Sequence, residues 1–250
     1  MNCFHADLHI HTCLSPCGDL EMSPRNIIRT ARERGLHMIA ITDHNSTLNV
    51  VVTMEIGRRE GIYVIAGCEV NTCEEVHCLC YFPHLHALQV FQLYLEGRMT
   101  SLPNDPDRFG YQVAVDANDR ILYEEKRSLF VGIDAEIEGV AAEVHRLGGV
   151  FVPAHIDRRS NSLLSQLGFV PFGLSHDALE MSRATTPSAF VQKHPELAEE
   201  LFLHNSDAHY LKDIAAVYNR FYMEQLSWDC FKAAFDHTGN KDSFIGYFYD

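Results

Sequence analysis

His9-x-His11 is the first pattern in this chain equipped for chemistry. Side chains two apart on an extended strand leave the same face, so both imidazoles can grip one ion. Asp207-x-His209 repeats the spacing far downstream. Asp43-His44, Glu69, His77 and His155 set further carboxylates and imidazoles between them. Imidazole nitrogen and carboxylate oxygen are ordinary ligands of zinc, iron and manganese. Leaving Asp43 aside and adding Asp19, both taken up below, the candidate ligands number nine, too many for one tetrahedral ion. They suit two or three ions sharing a bridging carboxylate, and Glu69 is the best placed to bridge. Buried without cations, such a cluster would be costly.

The elements that must position these groups follow from the apolar pattern. Residues 4–11 alternate as a strand. Ser23 and Pro24 start a helix as N-cap and first residue; Ile27, Ile28 and Ala31 give it a buried stripe, and Gly35 ends it. A short apolar run follows at 37–42, a helix at 48–60, and strands at 63–70 and 76–82. After residue 129 come a helix at 134–147, strands at 150–154 and 178–181, a helix at 189–200, and strands at 201–204 and 220–224. A last helix, capped by Ser227, carries Trp228, Phe231 and Phe235. Strands separated by helices predict a parallel sheet and one α/β domain over residues 1–250. Residues 84–129 break the rhythm with a helix at 86–97 and a hairpin turning at Asp116–Asp119. They read as an insertion or lid. Nearly every candidate ligand falls at the carboxyl end of a strand, where α/β barrels carry their sites.

The chain has 250 residues with 20 basic and 34 acidic side chains, a net charge of −14 with histidine neutral. That charge repels long polyanions and disfavours a general nucleic-acid coat, leaving a small phosphorylated substrate, a nucleotide or a short oligonucleotide open. No apolar run reaches the roughly 18–20 residues a membrane span requires. The opening Met-Asn-Cys-Phe-His does not read as a secretory signal, so the expected location is cytoplasmic and the eight cysteines are expected as reduced thiols. Cys68, Cys73, Cys78 and Cys80 form neither Cys-x-x-Cys nor ferredoxin spacing, and buried packing is the simpler reading. His5, His37, His84, His86, His145, His176, His194, His204 and His237 have no motif and read as surface or satisfied core residues, with His204 near the site in sequence.

The matching segments are Asp7-Leu-His9-Ile-His11-Thr12, Ile41-Thr42-Asp43-His44, Gly67-Cys-Glu69-Val70, Glu75-Val-His77, Pro153-Ala-His155 and Ser206-Asp207-Ala-His209. In this combination the chain resembles the polymerase and histidinol phosphatase (PHP) family over residues 7–209. The resemblance implies a distorted (β/α)7 barrel, a trinuclear centre of zinc, manganese or iron, and hydrolysis of phosphate esters. It puts His9, His11, Glu69 and Asp207 on a first ion, His44 and His209 on a second, and Glu69, His77 and His155 on a third. It also assigns Asp19 to the second ion, in the longer segment Ser15-Pro-Cys17-Gly-Asp19, with the soft thiolate of Cys17 as competitor.

A hydroxide activated by the ions is then expected to attack phosphorus, with no protein nucleophile. Arg158 and Arg159, just after His155, are candidates to fork onto phosphate oxygens, with Arg183 and Lys212 as lesser ones. Asp43 is expected to orient a ligand imidazole. The alternatives are a PHP-type exonuclease acting on oligonucleotide ends, a non-catalytic PHP module supporting a partner, and an amidohydrolase. The Thr42-Asp43-His44 and Asp207-x-His209 elements argue against the last.

Overall fold

The computed structural model describes residues 1–236 and 244–246; His237 lies outside them. The chain opens with β1 (Asn2–Ile10), α1 (Pro24–Glu33), β2 (Met38–Ile41), α2 (Val50–Glu60) and β3 (Tyr63–Asn71). Ser23 Oγ accepts the Asn26 N–H at the start of α1, with Pro24 behind it. The three strands pair in parallel, as their helical crossovers require.

β4 (His77–Phe82) departs from the expected parallel sheet. It runs antiparallel to β3, with Cys68 opposite Cys80 and Glu69 opposite Leu79. The connection after Asn71 is far shorter than the dozen or so residues a parallel crossover takes. There follow α3 (Leu85–Glu96), α4 (Pro106–Phe109), and the expected hairpin of β5 (Val113–Val115) with β6 (Ile121–Glu124). Next are α5 (Ile137–Arg146), β7 (Val150–Pro153), α6 (Leu163–Gln166), β8 (Leu179–Met181), α7 (Pro187–Val191) and β9 (Phe202–His204). The chain continues through β10 (Asn219–Met223), α8 (Trp228–Ala233) and β11 (Phe244–Gly246). The helix expected over 189–200 is cut short. α7 stops at Val191 and a separate 3-10 turn spans Pro195–Leu197, because Pro195 has no N–H to continue the ladder and disfavours helix at His194.

The strands form one mixed seven-stranded sheet, ordered β11-β10-β1-β2-β3-β4-β7, and two pairs, β5-β6 and β8-β9. The sheet curls. Pairs of backbone hydrogen bonds join the β8 segment to the β7 segment (Ile156 N–H to the Glu180 carbonyl and Asp177 N–H to the Phe151 carbonyl, both 2.9 Å) and the segment after β9 to β1 (His11 N–H to the Ala208 carbonyl, 3.0 Å, and Ala208 N–H to the His9 carbonyl, 3.1 Å). The result is an α/β half-barrel rather than a continuous parallel (β/α)7 ladder. One apolar layer lies between the sheet and α1, α2, α3 and α5, with Ile28, Ile39, Phe82, Phe91 and Val144 in it. A second fills the curl with Leu8, Ala40, Ile65, Leu79, Val152 and Leu203, closed below by Phe231. That inner layer is the floor under the histidines. Among the described residues no helix is long and apolar enough to cross a membrane.

Candidate metal centre

One irregularity in β1 aims the first motif. Ala6 pairs with Met38 and Asp7 with Ile39, but Ile10 pairs with Ile41, so β1 carries one extra residue. A bulge of this kind re-aims side chains. Leu8 therefore belongs to the inner layer and Ile10 to the outer one, while His9 and His11 turn inward above Leu8. On β3 and β4 plain alternation suffices: Glu69 follows Ile65 on the inner face, and His77 precedes Leu79. His155 and Asp207 stand just beyond β7 and β9 with φ of +31° and +50°. Non-glycine residues held there cost about 1–3 kcal/mol each, a strain typical of functional sites.

Glu69 is the hub. Its Oε2 lies 3.3 Å from Nε2 of both His9 and His11 and 3.1 Å from His44 Nδ1. Its Oε1 lies 3.0 Å from His77 Nδ1 and 3.2 Å from His155 Nε2. Asp207 Oδ1 stands 3.3 Å from His9 Nε2 and 3.2 Å from His11 Nε2. The His209 ring stacks on His11 with centroids 4.1 Å apart. Among the described residues three triplets present atoms close enough to share an ion: His9–His11–Glu69, His44–Glu69–His77 and His11–His44–His209.

The donor set fits divalent cations. His9, His11, Glu69 and His155 are almost wholly buried. His44 Nδ1, Glu69 Oε2, His77 Nε2 and His155 Nδ1 are buried with no hydrogen-bond partner. Orphaned atoms of this kind cost about 1–3 kcal/mol each unless something binds them. Imidazole and carboxylate are the ligands zinc, manganese and iron accept.

Surrounding groups fix which nitrogen of each ring is free. His9 Nδ1–H donates to Glu180 Oε1 at 2.9 Å, leaving Nε2 toward Glu69. Glu180 also accepts the His155 N–H and the Asn205 amide. Ser15 Oγ donates to Asp43 Oδ1 and accepts the His44 N–H, so its remaining lone pair takes His11 Nδ1–H at 2.9 Å. His209 Nδ1–H donates to the Asp207 carbonyl at 3.1 Å. Such outer partners orient metal-binding imidazoles and raise their basicity.

Charge divides the cluster. Burial opposes protonation of His11, but hydrogen bonds to Asp207 and Glu69 outweigh it and raise its pKa to about 9. His9 is likewise raised, with Glu180, Glu69 and Asp207 overcoming burial. Burial dominates at His44 and His77, both pushed down, and at His209, lowered to about 4. Glu69 and Asp207 are held well below the usual carboxylate range by the imidazoles around them, against burial.

The structure thus brings eight of the nine expected groups together and leaves out Asp19. The Asp19 N–H donates to the His209 carbonyl, but its carboxylate turns away to accept the Glu21 N–H. Cys17 instead lines the cavity, of about 160 Å³, alongside Pro16, Phe130, Arg158 and Asn161. Arg158 forms an ion pair with Asp207 Oδ2. Arg159 is exposed and is not part of the lining; Arg183 is engaged with Asp213, and Lys212 lies over the Tyr210 ring. Asp43 does not face the cavity; it accepts from Thr12 and Ser15 and orients His11 through the serine. His204 is buried and donates to the Ser182 carbonyl. Cys68, Cys78 and Cys80 are buried thiols whose pKa values burial raises. Sequence reasoning missed Glu180, Ser15 and Asn205. The signal for Glu180 was present, as a lone carboxylate inside the apolar run Ala178-Leu-Glu-Met181.

The PHP domain model matches residues 7–167. Protein YqxK of Bacillus subtilis is 23% identical over 99% of this chain and 65% of its own length. A phosphoribosyl 1,2-cyclic phosphate 1,2-diphosphodiesterase of Eggerthella lenta is 32% identical over 65 residues, 26% of this chain and 24% of that protein. The lesion-specific endonuclease EndoQ of Pyrococcus furiosus superposes with a TM-score of 0.74 at 20% identity, over 98% of this chain and 58% of that one. The chain therefore spans less than two thirds of each of these relatives.

Proposed function

The chain belongs to the PHP domain family, and from that premise we propose that it hydrolyses a phosphate ester of a small phosphorylated molecule using two or three divalent cations. One observation carries this reading: a single buried carboxylate, Glu69, stands within 3.3 Å of five imidazoles, several with unpartnered nitrogens. His9, His11, Glu69 and Asp207 would hold one ion, His44 and His209 a second, and Glu69, His77 and His155 a third. Zinc, manganese and iron all suit these donors. Such cations supply positive charge against phosphoryl oxygens and acidify water.

The chain's own groups do the remaining work. Glu180, Ser15 and the Asp207 carbonyl hold the protons of His9, His11 and His209 on the nitrogens facing away from the cluster. Arg158, at the cavity, is the cation placed to take a phosphate oxygen in exchange for Asp207. Arg159 would act only if its loop turned inward. Residues 84–129 act as an insertion that reaches the cavity's lining residues through Phe109, which stacks on Phe130 and accepts the Cys17 N–H. The free thiols suit a reducing compartment such as the cytoplasm.

A second reading, hydrolysis within a nucleic-acid strand, is supported by the EndoQ superposition across nearly the whole chain. Phosphate release from mono- and diesters by protein loaded with manganese, zinc or iron tests the first reading; cleavage of end-labelled oligonucleotides tests the second. His9→Ala and Asp207→Asn should each lower turnover by about 100-fold or more. No turnover of any ester by fully loaded protein, or undiminished turnover in His9→Ala, would overturn the proposal.

A further inference from the structure

Phe130 is out of place by composition. It is a large apolar side chain, 45% exposed, on the wall of a cavity lined mainly by imidazoles and carboxylates, with Pro16, Cys17, Arg158 and Asn161. Its backbone is held from three sides. Asn45 Nδ2 donates to the carbonyls of Leu129 and Val131, both at 3.0 Å, and Asn71 Nδ2 donates to the carbonyl of Phe130 itself at 2.7 Å. Gln112 Oε1 accepts the Leu129 N–H, and Leu129 is fully buried. Asn45 follows His44 directly, at φ +48°, and Asn71 is two residues past Glu69. The two asparagines tie this aromatic ring to the same backbone that carries the cluster.

The ring does not stand alone. Phe109 stacks behind it with centroids 5.5 Å apart and planes 21° from parallel. The Phe109 carbonyl accepts the Cys17 N–H, which fastens the pair to the loop that also lines the cavity. The result is a two-ring platform at a fixed place beside the cavity. The cavity itself is small, about 160 Å³. Sites that enclose a whole drug-sized ligand measure about 300–1,000 Å³. A phosphoryl group and part of its ester fit inside, and the rest of a larger molecule must lie over the rim, where Phe130 is.

We propose that Phe130, backed by Phe109, is a stacking platform for the nucleobase of a nucleotide ester whose phosphate lies in the cavity. This rests on the phosphoesterase reading and narrows its substrate class. An exposed ring offers a flat π-face to a flat partner, and stacking of this kind tolerates any base. A sugar phosphate without a base would leave the platform idle. A free nucleotide and the end of a strand share the recognised chemistry.

The test uses the full chain loaded with manganese and two non-hydrolysable ligands, the 5′-methylenephosphonate of adenosine and its ribose counterpart, titrated by calorimetry. The wild-type protein should bind the adenosine ligand about 5- to 150-fold tighter, the worth of one base–aromatic stack. Phe130→Ala and Phe130→Leu should bring that ratio near one, and Phe130→Trp should preserve it, all four proteins being checked by thermal melting. A ratio near one in the wild type, or one unchanged in folded Phe130→Leu, overturns the platform whether or not esters are hydrolysed. A base-dependent ratio lost with Phe130 in a protein that turns over no ester would uphold the platform and refute the hydrolase. A trinucleotide phosphonate bound more tightly than the adenosine ligand identifies a strand end as the source; equal binding identifies the free nucleotide.

Discussion

The two halves of the centre contrast in charge. In the deeper half, His9 and His11 face Glu69 and Asp207, with Glu180 behind His9, and their pKa values are raised. In the shallower half, His44 and His77 meet Glu69 as their close carboxylate, His209 lies 3.5 Å from Asp207 but stacks on the positive His11, and burial pushes all three down. Protons can serve as counter-ions in the deeper half. The shallower half is neutral at pH 7 and already in the form a cation binds. The same residue type is therefore poised differently by the balance of burial, carboxylates and neighbouring imidazoles around it.

Glu69 joins the halves, so its loss should have the largest effect. Glu69→Gln should reduce bound metal, counted by elemental analysis, below one ion per chain and abolish turnover. Two ions retained would mean the halves are independent. The pH dependence of loading comes next. His11 is raised to about 9, so a cation in the deeper half must displace a proton below that pH, and affinity there should rise as pH increases toward 9. His209 is lowered to about 4, so it contributes no proton competition above that pH. Calorimetry in buffers of different ionisation heat should find proton release near pH 7 for one class of site and little for the other. Equal release at both would erase the contrast.

Glu180→Gln keeps an acceptor for His9 but removes its charge. Deeper-site affinity should fall about 10–100-fold with the shallower site little changed, read from the same titrations. Ser15→Ala should have a smaller effect on His11, because Asp43 would keep its bonds to Thr12. The smallest effect belongs to Asp19→Asn, within about twofold in metal affinity, since its carboxylate serves only a local turn. A loss comparable to that of Glu180→Gln would return Asp19 to the centre.

Much of the site was legible in the chain because ligand chemistry is a matter of residue type and strands repeat every two residues. His9-x-His11, Glu69 and Asp207-x-His209 required no coordinates to be singled out. The helix start at Ser23-Pro24 and the hairpin around Asp116–Asp119 were equally readable, since caps and turns are local chemistry. Glu180 was harder: a lone acid in an apolar run has no partner until the curl of the sheet brings the Glu180 side chain on β8 to His9 on β1. Asp19 was assigned to the second ion from spacing along a loop, which does not say which way a side chain turns; its carboxylate accepts the Glu21 N–H and is not in the cavity lining.

The sequence by itself determined the inventory, namely which side chains can bind cations and which strands deliver them, because composition and period are encoded residue by residue. Only the tertiary structure decided the aim. The extra residue in β1, the antiparallel return of β4, the carboxylate behind His9 and the asparagines behind Phe130 all depend on neighbours distant in the chain. Register, direction and the local field at each imidazole are properties of contacts, and contacts exist only once the sheet has curled.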